Sequence, residues 1–116
     1  MANEIPGLSI FPQRSGENFI VALRGEIDLQ SSPRLREAML AEVENGAKRF
    51  IFDLADVTYV DSSGVGTLVE LKRKLERRGA KLILAKVQAR VMNVLEITQL
   101  DKFFPITADT KTAESL

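Results

Sequence analysis

The chain has 116 residues, 45% of them hydrophobic, and its 16 Lys plus Arg balance 16 Asp plus Glu. That is one domain's worth of chain, long enough to bury about two-thirds of its unfolded surface. Zero net charge argues against the basic footprint of a nucleic-acid binder. The absence of Cys and His removes Cys/His zinc sites, thiol nucleophiles and a histidine general base.

At the N-terminus, Met1-Ala2-Asn3-Glu4 has neither the basic region nor the apolar run of a signal peptide. No apolar stretch approaches the roughly 18 residues of a membrane span. A soluble, cytoplasmic protein with no membrane partner is expected, and the lack of Cys fits a reducing compartment. Leu8-Ser9-Ile10-Phe11, closed by Pro12, reads as an edge strand. After a turn at Ser15-Gly16-Glu17-Asn18, the run Phe19–Leu23 reads as a strand covered on both faces. The two should pair as a hairpin.

Gly25-Glu26-Ile27-Asp28 leaves that strand, and Ser32 is expected to cap a helix with Pro33 at its first position. Leu35, Ala38, Met39 and Val43 form its apolar stripe, and Gly46 ends it. Phe50–Leu54 is a second buried strand, followed by a loop and a helix that opens at Asp61–Gly64 and stops at Gly79. Lys81–Ala85 is a third buried strand, and Gln88–Ile97 a third helix with Val91, Val94 and Leu95 inward. Phe103, Phe104 and Ile106 return a last short strand, and 108–116 suits a short terminal helix. Strands alternating with helices after an initial hairpin define an α/β domain with a mixed, largely parallel sheet and right-handed crossovers.

Val60-Asp61-Ser62-Ser63-Gly64-Val65-Gly66 carries the candidate chemistry. It places two serines at the carboxyl end of a strand, where open α/β sheets present their sites. The serines also sit at a helix N-terminus, with its orphan N–H groups and partial positive charge. Gly64 and Gly66 keep side chains away from the serines, so another protein could approach closely. From the residues alone, helix capping is the first reading of Asp and Ser at these positions, since most such serines do nothing else. A nucleophile elbow is excluded because its first Gly and any His are missing. Val69 occupies the third glycine's place of a dinucleotide fingerprint. No phosphate-binding loop, metal cluster or other cofactor motif is present, and no cofactor is expected.

Taken together, these segments resemble the anti-sigma factor antagonists, the small stand-alone proteins of the STAS domain family. The resemblance runs over about residues 8–110 and makes the whole chain, 1–116, a single such domain. It rests on Leu23-Arg24-Gly25-Glu26-Ile27-Asp28, Asp53-Leu54, and Val60 to Gly66. It continues with Val94-Leu95-Glu96-Ile97-Thr98-Gln99-Leu100 before Phe103-Phe104. Many family members carry a small polar residue or Gly where Gln99 stands.

The resemblance implies that Ser62, directly after Asp61, is phosphorylated by a partner that is both anti-sigma factor and serine kinase. The unphosphorylated protein would bind that kinase and free a sigma factor, regulating transcription indirectly. Phosphorylation would break the complex and a phosphoserine phosphatase would restore it. The expected contact surface joins Asp28, Tyr59, Asp61, Ser62, Ser63, Gly64 and Gly66. Asp61 would orient the Ser62 hydroxyl, help hold the kinase's metal, or simply cap the helix. Asp28 would border the contact or serve its own turn.

Val65, Leu68, Val69, Leu71 and Leu75 should face the core, with the Lys72 stem on apolar surface and its ammonium exposed. Lys72, Arg73, Lys74, Arg77 and Arg78 make this helix basic, which reads as a solvated face or as a seat for an acidic partner. Other settings of the same fold are a subunit of a signalling scaffold, which usually carries an additional N-terminal domain, and an accessory subunit of a transport complex, which does not need a phosphoacceptor serine. An enzyme is not expected.

Overall fold

The computed structural model describes residues 3–116. Met1 and Ala2, which begin the segment read as lacking a signal peptide, lie outside the described residues. The strands are β1 (Asn3–Ile5), β2 (Leu8–Ser15), β3 (Asn18–Ile27), β4 (Arg49–Val60), β5 (Lys81–Ala85) and β6 (Ile106–Thr107). The helices are α1 (Ser32–Glu44), α2 (Ser62–Arg77), α3 (Ala89–Ile97) and α4 (Thr110–Ala113). The six strands form one sheet in sequential order. The β1–β2 and β2–β3 pairs are antiparallel; β3–β4, β4–β5 and β5–β6 are parallel. The expected α/β class with a mixed, largely parallel sheet is what the chain adopts.

Alternation along β4 explains how both sheet faces are covered. Phe50, Phe52 and Leu54 turn into the main core with Leu35 and Met39 of α1, Leu68, Leu71 and Leu75 of α2, and Val91 and Leu95 of α3. Ile51 faces the other way, packing with Ile83, Ala85 and Ala113 under α4. Removing one of the fully buried leucines of α2 should cost about 2–5 kcal/mol, since each would leave a cavity.

Several elements differ from expectation. Pro12 does not end its strand: β2 runs on to Ser15, with Pro12 opposite Val21. Pairing with β1 reaches only Ile10, so no strand on that side requires the N–H that Pro12 lacks. β3 is buried on one face only, through Phe19, Val21 and Leu23, while Ile20 and Ala22 are half-buried. The residues after Leu54, expected as loop, extend β4 to Val60, because the end of β3 keeps pairing with them through two register shifts.

Ser31 rather than Ser32 is the N-cap of α1, and its hydroxyl turns back to the Glu26 carbonyl (2.8 Å). Phe103 and Phe104 form a turn instead of a strand, packed edge to face with centroids 5.1 Å apart. Lys72 is not exposed. It is 9% accessible, its ammonium 2.7 Å from Glu76 Oε2 and 4.4 Å from the Phe103 ring centre. Gln99 holds φ at +60° just after α3, a left-handed turn that small polar residues and Gly adopt most readily.

Candidate functional site

β3 and β4 are parallel neighbours whose last paired residues are Ile27 and Val60. The chain therefore leaves the sheet twice at adjacent places, once into the loop 28–31 and once into α2. The two exits are tied together. Asp61 N–H donates to the Ile27 carbonyl (3.2 Å). The Asp61 carboxylate caps α2, with Oδ1 accepting from Gly64 N–H at 2.7 Å. Its Oδ2 accepts from Leu29 N–H at 3.2 Å, so one side chain clamps the helix to the neighbouring loop.

That loop is itself closely held. Asp28 Oδ1 accepts from the N–H groups of Gln30 (3.0 Å) and Ser31 (3.1 Å), the turn role anticipated for this carboxylate. Ser31 Oγ accepts from Asp28 N–H, and Ser32 Oγ donates to the Asp28 carbonyl at 2.5 Å. The loop presents Leu29, 73% accessible, beside the helix cap. Sequence reading passed over Leu29. Its only signal was an isolated apolar residue directly after Asp28, outside any periodic run.

Ser62 is the first residue of α2 and is exposed; Ser63 is half-buried. Tyr59, paired with Glu26 across β3 and β4, is 46% accessible. Asp28, Tyr59, Asp61 and Ser62 thus stand at the ends of two adjacent strands. The two glycines differ. Gly64 is buried, and a Cβ there would lie 2.2 Å from the Ile27 carbonyl oxygen, so its bareness lets α2 approach β3. Gly66 is exposed, and a Cβ would meet nothing within 4 Å. It leaves open ground one turn beyond Ser62.

The first turn of α2 holds no acid, and only its cap is acidic. Ser62 therefore stands exposed at the positive end of a 16-residue helix.

The STAS domain family model matches residues 10–113. The anti-sigma-B factor antagonist of Bacillus subtilis (strain 168) is 35% identical over 99 residues, covering 84% of this chain and 90% of the relative. The unphosphorylated form of the anti-sigma factor antagonist SpoIIAA superposes with a TM-score of 0.77 at 21% identity, covering 91% of this chain and 94% of that one. A sulfate transporter family protein from Wolinella succinogenes has the same fold at a TM-score of 0.75 and 21% identity, over 87% and 84% of the two chains. With the matched stretch running from β2 to the last helix, the chain belongs to the STAS domain family.

Proposed function

We propose that this protein is an anti-sigma factor antagonist whose state is set by phosphorylation of Ser62. Unphosphorylated, it binds an anti-sigma serine kinase in the cytoplasm and frees a sigma factor. Phosphorylated, it lets go, and a phosphoserine phosphatase resets it. It acts as a binding module rather than as a catalyst. The observation that carries this reading is the exposed Ser62 hydroxyl at the first position of α2, beside an Asp61 that locks helix and loop into one surface. The name of the 35% identical Bacillus subtilis relative supports it.

The physical mechanism is local. A phosphate adds about −1.5 to −2 charges and three acceptor oxygens to a surface shaped for contact. It also sits next to the Asp61 carboxylate, so a partner fitted to the bare serine meets bulk and repulsion. The helix end accommodates the charge, and the fold need not change.

Incubation with a purified anti-sigma kinase from the same genome and ATP, followed by peptide mass spectrometry, is expected to place the phosphate on Ser62. Phosphate on Ser63, or on neither serine, would overturn the assignment.

A further inference from the structure

Beyond the phosphoacceptor turn, α2 carries a cationic face. Ser62, Gly66, Val69, Arg73 and Arg77 follow one another at steps of three or four residues, one stripe along the helix. Gly66, Val69, Glu70, Arg73 and Arg77 line a shallow depression, and Leu40, Arg77 and Arg78 an adjoining one; Lys74 borders both. Most charges nearby are matched. Lys72 pairs with Glu76, Arg78 with Glu44, and Glu70 with both Arg36 (3.1 Å) and Lys74 (3.0 Å). Arg73 and Arg77, among the described residues, pair with no carboxylate, though the Arg73 guanidinium lies 5.8 Å from the Phe103 ring centre. The helix dipole favours Arg77 in the last turn, but not Arg73, and like charges four apart weaken a helix slightly.

We infer that this stripe seats an acidic face of the kinase that phosphorylates Ser62. The inference rests on the function proposed above and adds the chemistry of the partner surface. A standard interface covers about 800 Å² per partner, a patch of about 16 Å radius. Arg73 lies eleven residues along α2 from Ser62, about 16 Å at 1.5 Å per residue. A kinase centred on Ser62 therefore has its rim at Arg73, and Arg77 just beyond. Rim charges govern the rate of association and its salt dependence more than the lifetime of the complex.

The experiment measures association of the unphosphorylated protein with the purified anti-sigma kinase, comparing wild type with Arg73→Glu/Arg77→Glu. At about 0.01 M salt, where screening extends over about 30 Å, the double variant should associate on the order of tenfold more slowly. At about 1 M salt, with screening within about 3 Å, the difference should vanish. Arg90→Glu/Lys111→Glu makes the same change in net charge outside the two depressions and should slow association clearly less, since its charges lie farther from the contact.

Thermal melts of each variant separate misfolding from lost contact, and Arg73→Gln/Arg77→Gln should give a smaller effect of the same sign. Equal rates for wild type and the Arg73/Arg77 variant at low salt, or an equal loss in the Arg90/Lys111 control, would overturn the inference while leaving the Ser62 switch intact. Failure of the wild type to bind the kinase or to be phosphorylated on Ser62 would overturn the switch, and this surface with it.

Discussion

Gly64 and Gly66, two residues apart in α2, make opposite predictions at the residue scale. A methyl group at Gly64 would sit 2.2 Å from the Ile27 carbonyl oxygen, backbone that cannot swing aside. Gly64→Ala should therefore destabilise the protein by about 1–3 kcal/mol, the usual cost of overpacking. Gly66→Ala meets open space and replaces a poor helix former, so it should be neutral or stabilising by up to about 1 kcal/mol. Urea unfolding of the two variants checks this, and equal effects would show that the close approach of α2 to β3 is misdescribed. Gly66→Leu should likewise fold normally while losing kinase binding and Ser62 phosphorylation, because bulk would rise one turn from the hydroxyl. Normal binding and phosphorylation of that variant would move the contact surface elsewhere.

At the scale of elements, α1 and α2 are joined by Glu70, which takes Arg36 from α1 and Lys74 from its own helix. Hydrogen bonds from Lys74 and then Arg36 hold the Glu70 carboxyl below its ordinary value of 4.5. A carboxylate whose folded-state pKa is lowered adds stability that is fully present above the unfolded value. That stability is lost as pH falls through the folded one. The advantage of wild type over Glu70→Gln should therefore be constant near neutrality and shrink on acidification below about pH 4.5. Because Glu70 is 37% accessible, water screens the interaction and the advantage should be small. Paired melts across that pH range test the sign; an advantage that grows in acid would contradict the assignment.

At the scale of the molecule, the loop 28–31 and the start of α2 form one braced surface at the end of β3 and β4. A switch built on such a surface works by local charge and bulk. Ser62→Asp should accordingly block kinase binding while leaving the melting temperature nearly unchanged, since a carboxylate in the first turn of a helix is worth about 0.3–1 kcal/mol. A marked fall in melting temperature would mean that phosphorylation acts by unfolding.

Much of this was legible in the amino-acid sequence because it depends on neighbours along the chain. Apolar runs and helical stripes set the order of elements and the α/β class. Asp61 before Ser62-Ser63-Gly64 marked the start of α2, and Gly79 its end, through dihedral and capping preferences that span only a few residues. Tertiary structure decided whatever depended on residues far apart. The Leu29 backbone is tied to α2 because Asp61, 32 residues on, accepts its N–H. Gly64 is required by the Ile27 carbonyl, and the Lys72 ammonium is covered by the Phe103 ring. Pro12 is tolerated inside β2 because β1 stops pairing at Ile10. Each of these follows from register and close approach between elements, distances that local periodicity leaves open until the sheet is assembled.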